Sequence, residues 1–211
     1  MLSRAAGRAR CAVLVSGGGT NLQALIDASR RDELPHVELS LVLSSKAGVR
    51  ALQRADAAGI PAKAIPRKDY ETDRAFEESL LRELRAARID LVVLAGFMRI
   101  LSPDFVRCFP DRILNVHPSL IPAFCGKGMY GLKVHEAALA YGVKVSGATV
   151  HLVNEIPDGG RILLQKAVDL RPGDTAPVLQ RRIMEEAEWV LLPKALEQRA
   201  MEYLEETPVQ E

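Results

Sequence analysis

The spacing of apolar positions along this chain changes several times, and each change predicts an element. Residues 11–15 are continuously apolar, which predicts a short buried strand. Ser16-Gly17-Gly18-Gly19-Thr20-Asn21 follows directly, and Leu22, Leu25 and Ile26 then recur at helical spacing, giving strand, glycine loop and helix. Residues 37–43 predict a second strand, residues 48–58 a helix that stops at Gly59, and residues 62–65 a short third strand. Residues 70–87 form the most regular amphipathic segment, with Phe76, Leu80, Leu81 and Leu84 on one side. Residues 89–95 are apolar apart from Asp90, as a strand covered on both faces should be. Ser102-Pro103 carries the cap and first-turn chemistry of a short helix.

Residues 112–116 predict the next strand. A long loop with Pro118, Pro122, Gly126, Gly128 and Gly131 then leads to a helix over residues 132–140, and a loop of that length is usually functional. Residues 143–153 predict a strand with Thr149 and His151 on one face. Its antiparallel neighbour, residues 161–168, lies across the turn-forming Pro157-Asp158-Gly159-Gly160. From Ala176 to about Tyr203 the pattern predicts one long amphipathic helix, broken near Leu192-Pro193. The alternation specifies an α/β, Rossmann-like single domain over residues 11–204. Its sheet is mostly parallel and twisted, flanked by helices, with an antiparallel addition at the C-terminal end. Residues 1–10 are expected to be a flexible, Arg-rich extension and residues 205–211 a frayed acidic tail.

Composition narrows the class. The chain has 211 residues, 48% of them apolar, enough for one full core. A net charge of +1 lends no support to a nucleic-acid surface, and no apolar run is long enough to predict a membrane span. Cys11, Cys108 and Cys125 show neither metal spacing nor a CxxC pair, so no metal is expected and a reducing cytoplasm is. The partners expected are small molecules, and the chain is expected to be a monomer or a homodimer. Phe105, Val106 and Phe109 read equally as interface or core.

The candidate chemistry lies in Asn115-Val116-His117-Pro118-Ser119-Leu120. Two polar groups at alternate positions of a strand share a face, and the carboxyl end of a parallel strand is where ligands bind. An amide can hold a developing oxyanion, and an imidazole can move a proton near neutral pH. Gly18, Gly19, Thr20 and Asn21 offer free amides and a helix dipole, which suit a phosphate monoester. The loop lacks the dinucleotide fingerprint, the lysine of a triphosphate loop and an acidic residue near Ser44, and a tight turn without ligand explains it equally well. Asp158 is either a carboxylate partner that favours a charged His117 or an ordinary Asp-Gly turn. No nucleophile elbow is present, so direct attack on a carbonyl-type carbon is expected.

Four segments together resemble the folate-dependent phosphoribosylglycinamide formyltransferases: residues 16–23, residues 94–102, residues 115–120 and residues 151–160. The resemblance runs from about residue 12 to about residue 196. It implies a formyltransferase fold, with 10-formyltetrahydrofolate as co-substrate and phosphoribosylglycinamide as acceptor in purine biosynthesis. It places Asn115, His117 and Asp158 at catalytic positions and Gly18, Gly19, Thr20 and Asn21 at the substrate phosphate. Glu188 falls near the substrate ribose, followed by Trp189 where relatives carry a histidine. Phe97, Met98, Arg99, Ile100 and Leu101 fall on the folate side, with Val153, Asn154, Glu155 and Ile156. Thr72-Asp73-Arg74 replaces a Ser-Arg-Glu context, so Arg74 is the expected substitute near the folate tail. Cys125 stands where proline is common, and Lys127 or Lys133 is a further cation for anionic substrate groups. Within the same fold, a formyltetrahydrofolate hydrolase would use similar groups with water as acceptor. It would be expected to carry an N-terminal regulatory domain, and a transfer-RNA formyltransferase a C-terminal domain and a basic surface.

Overall fold

The structure is a computed structural model that describes residues 7–206. Seven strands form one sheet: β1 (Ala9–Val15), β2 (Val37–Ser44), β3 (Ala62–Ala64), β4 (Leu91–Leu94), β5 (Ile113–His117), β6 (Val145–Leu152) and β7 (Ile162–Asp169). Their order is β3-β2-β1-β4-β5-β6-β7. The pairs from β3 to β5 are parallel, and β5–β6 and β6–β7 are antiparallel. The strand order therefore reverses between β1 and β4, where the connections leave in opposite directions and open a crevice at the carboxyl ends.

Helices α1 (Thr20–Arg30), α2 (Arg50–Ala57), α6 (Ala176–Ile183) and α7 (Trp189–Glu206) contribute to one apolar cluster; α3 (Asp73–Ala86) and α4 (Pro103–Arg107) contribute to a second. Strand β1 serves both clusters by alternation, with Cys11, Val13 and Val15 in the first and Ala12 and Leu14 in the second. Helix α5 (Leu132–Tyr141) follows the long loop. Phe105, Val106 and Phe109 are buried in the second cluster, so they are core residues.

Several boundaries differ from the apolar pattern, and the larger differences have local physical reasons. Strand β1 begins at Ala9 because Arg10 is part of the sheet. Its N–H donates to Asp90 Oδ2 at 2.9 Å and its guanidinium pairs with Glu38 at 2.6 Å. The first six residues of the expected extension lie outside the described residues. Helix α3 begins at Asp73, where the Thr72 hydroxyl caps it by accepting the Ala75 N–H at 3.1 Å. The break expected near Pro193 falls earlier, in a π turn at Met184–Glu188, and Pro193 sits inside α7. A proline has no N–H for the carbonyl four residues back, and its ring crowds that carbonyl. Helix α7 runs to Glu206, which Arg199 holds at 2.8 Å, while residues 207–211 lie outside the described residues.

Replacing Phe105, 1% exposed, with alanine should cost about 3–5 kcal/mol in chemical denaturation. A loss below about 1 kcal/mol would return α4 to the surface.

Candidate active site

The crevice is a cleft of about 770 Å³. Its walls come from the start of α1, the segment after β4, the end of β5, the loop before α5, residues 151–158 and the π turn. That volume suits ligands that are largely enclosed, with a few polar groups fixing their orientation.

Asn115 and His117 close β5, and the antiparallel register sets His151 opposite Asn115 and Thr149 opposite His117. Asp158 belongs to the following turn, held in the left-handed region at φ 55°. Its carboxylate turns inward. Oδ2 accepts the Gly126 N–H at 2.8 Å and lies 3.6 Å from His117 Nδ1; Oδ1 lies 3.5 Å from Asn115 Nδ2 and 3.6 Å from His151 Nε2. Burial raises the Asp158 carboxyl, but the neighbouring His151, the bond from the Gly126 N–H and the nearby His117 imidazole outweigh it and hold the group below the ordinary carboxylate range. The turn can lie this close to the sheet because residue 160 is glycine: a Cβ there would meet the Leu152 carbonyl at 1.8 Å.

The neighbouring carbonyls set the ring protons. His117 Nε2 lies 2.9 Å from Phe124 O, so Nε2 carries a hydrogen and Nδ1 is the nitrogen facing Asp158. His151 Nδ1 donates to Leu152 O at 2.8 Å, which leaves Nε2 of the neutral ring to accept from Asn115 Nδ2 at 3.1 Å. His151 thereby orients the Asn115 amide, with its second N–H left near Asp158. Thr149 fixes the chain after His117: its hydroxyl donates to Ser119 O at 2.7 Å and accepts the Ile121 N–H at 3.1 Å.

At the other end of the cleft, Gly19 is left-handed at φ 72° and begins α1. A Cβ at Gly19 would lie 2.7 Å from Ala51 Cβ, so only glycine fits. Left-handed followed by helical backbone turns successive N–H groups into one concavity, which is an anion nest. Thr20 and Asn21 line the cleft; Gly18 and Gly19 are not among its walls and precede them in the loop.

The structure brings together Asn115, His117, Asp158, Thr20, Asn21 and Glu188 in this one cleft. Phe97, Met98, Arg99, Ile100, Leu101, Val153, Asn154 and Glu155 line it as well. Phe97 also stacks on Phe76 with centroids 6.5 Å apart, and Leu101 is buried, so both carry packing. Ile156 and Arg74 are outside the walls. Ile156 is exposed, and Arg74 pairs with Glu78 at 3.0 Å on the outer face of α3. Asp73 is the residue of that turn that faces the cleft, bonded to Arg67. Lys133 is folded over the Tyr130 ring.

Pattern reading left out His151, Phe124 O and the Gly126 N–H. The alternation of Thr149 with His151 was a visible signal, but the partner strand and the backbone groups were not. It also left out His135, which is fully buried with both ring nitrogens unpartnered among the described residues. Burial, helped by nearby His117, holds its pKa down at about 4 and keeps it neutral.

Glu188 is 6% exposed and accepts from Asn21 Nδ2 at 2.7 Å, while Asn21 Oδ1 is buried without a partner among the described residues. Burial pushes the Glu188 pKa up to about 7, against the opposing pull of the Asn21 amide. A raised acid stabilises the fold below its unfolded pKa, and that contribution is lost as pH climbs toward the folded value. The melting temperature of the ligand-free protein should therefore fall between about pH 4.5 and pH 7, and Glu188→Gln should flatten that part of the profile. A variant as steep as the parent would show that Glu188 titrates like an exposed acid.

The family described as formyl transferase matches residues 9–196. The trifunctional purine biosynthetic protein adenosine-3 of Drosophila melanogaster is 47% identical over 190 residues, 90% of this chain and 14% of that protein. The chloroplastic phosphoribosylglycinamide formyltransferase of Vigna unguiculata is 39% identical over 179 residues, 85% of this chain and 57% of that protein. The chain thus spans a small part of the first relative and just over half of the second. The crystal structure of glycinamide ribonucleotide transformylase 1 from Symbiobacterium toebii superposes with a TM-score of 0.87 at 40% identity, covering 96% of this chain and 92% of that one. With its seven-stranded sheet and a profile match over most of its length, this chain belongs to the formyl transferase family.

Proposed function

We propose that this chain transfers the formyl group of 10-formyltetrahydrofolate to the amine of 5′-phosphoribosylglycinamide. The products are 5′-phosphoribosyl-N-formylglycinamide and tetrahydrofolate, in de novo purine biosynthesis. One observation carries the reading: a single cleft holds an anion nest at Thr20–Asn21 and an Asn115, His117 and Asp158 cluster. The names of the relatives supply the ligands that such a cleft would join.

The N–H groups around Gly19, Thr20 and Asn21 receive the substrate phosphate, remote from the reacting nitrogen, and that remote binding orients the amine. Asn21 Oδ1 and Glu188 are the polar atoms available to the ribose hydroxyls. Met98, Leu101 and Val153 supply apolar walls for a pterin, and the peptide groups of residues 97–101 and 153–158 read its polar edge. Arg99, beside Asp73, is the cation on this side of the cleft.

The formyl carbon supplies the electrophile. The neutral amine attacks it, and negative charge develops on the formyl oxygen. The Asn115 N–H that rests 3.5 Å from Asp158 Oδ1 would turn to the formyl oxygen, with an Nδ1 proton of His117 as the second donor. Asp158, ionised, supports the proton on His117 and draws the proton from the attacking nitrogen, through water. The carbon–nitrogen bond to the folate then breaks, and the departing folate nitrogen takes a proton. A location in the cytoplasm suits three cysteines that are all unpaired.

In assays with 10-formyltetrahydrofolate, formyl transfer should require the phosphorylated amine. Formate released at the same rate without it would make the protein a hydrolase. Asp158→Asn should keep the fold and lower kcat by about 100-fold or more, because a neutral amide cannot support the imidazolium. Near-parental turnover would remove Asp158 from the mechanism. Thr20→Ala combined with Asn21→Ala should raise KM for the phosphorylated amine with little change for folate. The reverse pattern would mean that the two ligands lie at opposite ends from those assigned.

A further inference from the structure

Arg54, on α2, lies outside the cleft walls and belongs to no motif. Its guanidinium nevertheless reaches the glycine loop: Nε donates to Gly18 O at 3.0 Å, and Nη1 donates to Gln23 Oε1 at 2.7 Å. Gln23 is oriented in turn, since its Nε2 donates to Asp27 Oδ1 at 2.8 Å. The arginine is thus tied both to the loop and to the helix that the loop begins.

The loop has three successive carbonyls under restraint. Gly17 O accepts the Ala51 N–H at 3.1 Å, Gly18 O accepts from Arg54, and Gly19 O accepts the Gln23 N–H at 2.9 Å. In a trans peptide the N–H points opposite to the C=O. Holding these carbonyls on the helix side therefore aims the N–H groups of Gly18, Gly19 and Thr20 the other way. None of these three N–H groups donates to a partner among the described residues.

The first and third carbonyls are held by backbone donors, which any sequence folded this way would supply. Only the middle one is held by a side chain. The Gly17–Gly18 and Gly18–Gly19 peptides are each flanked by two residues without Cβ, so both turn over more easily than their neighbours, and of the two only the second has its carbonyl held by a side chain. A flipped peptide would present a carbonyl oxygen to the bound anion in place of an N–H.

We infer that Arg54 is a positioning residue for the phosphate nest: it pins the Gly18 carbonyl and thereby holds the Gly19 N–H toward the substrate phosphate. The inference rests on the proposed phosphate role of the loop. It places a second requirement for phosphate recognition on α2, outside the loop itself.

The test compares the parent with Arg54→Ala and Arg54→Lys, using inorganic phosphate as the probe in titration calorimetry, together with steady-state kinetics. Loss of one charge-assisted bond should weaken phosphate binding and raise KM for the phosphorylated amine by about 10-fold in Arg54→Ala. Both kcat and the KM for folate should stay within about twofold, because the chemistry lies at the other end of the cleft. Arg54→Lys should recover part of the loss, since an ammonium can reach one carbonyl. The backbone amide resonances of Gly19 and Thr20 in ligand-free Arg54→Ala should move while those of Asn115 and His151 do not, which a general loss of folding would not produce. A parent that binds phosphate and an Arg54→Ala variant that binds it equally well would overturn the role of Arg54 alone. A parent that binds no phosphate would overturn the loop assignment and this inference with it. An equal loss of folate affinity would also overturn it, by showing that Arg54 supports the whole domain.

Discussion

Antiparallel pairing of β6 with β5 is the constraint on which the cleft depends. Parallel strands from β3 to β5 end together, but a purely parallel sheet would supply loops at that edge and no facing strand. By running back along β5, β6 places His151 across from Asn115 and Thr149 across from His117. The strand then leaves the sheet beside those groups, and its turn returns the Asp158 carboxylate to both imidazoles. A one-residue slip would send every one of these side chains to the other face. Closely fitted backbone, such as Gly160 against Leu152, allows the turn no room to drift.

The two ends of the cleft use different physics. At the Asp158 end, charge is held by several donors at once, so a partly buried carboxylate stays ionised. At the Glu188 end a carboxyl has one donor and is buried, so its pKa is pushed up to about 7. The π turn that carries Glu188 lets α6 and α7 follow the sheet while aiming an acid at the loop of β1. The acid and the unpartnered Asn21 oxygen are disfavoured in the folded chain alone.

Much of the architecture could be read in the pattern. The continuous apolar runs of β1 and β4 and the amphipathic α3 came from burial on two faces or one, which periodicity reports directly. Asn115, His117 and the glycine loop were visible as well, because alternation on a strand and a glycine run before a helix are local facts. What failed locally was polar. Arg10 looked like tail and is sheet, since Glu38 matches its charge and Asp90 accepts its backbone N–H, both from distant segments. Arg74 looked like a ligand cation and points outward, because the helical turn gives the cleft to Asp73. Phe105 could be core or interface until α3 and α4 were packed together.

The amino-acid sequence by itself determined which segments are strands and helices, where the chain turns, and which residue types could bind an anion or move a proton. Those properties depend on neighbours a few positions away, on steric limits at glycine and on the period of burial. Tertiary structure alone decided which of those groups meet. The inward turn of Asp158, the raised pKa of Glu188 and the hold of Arg54 on Gly18 all depend on atoms brought together across tens of residues. A hydrogen bond or a change in solvation is set by distance in space, and separation along the chain carries no record of it.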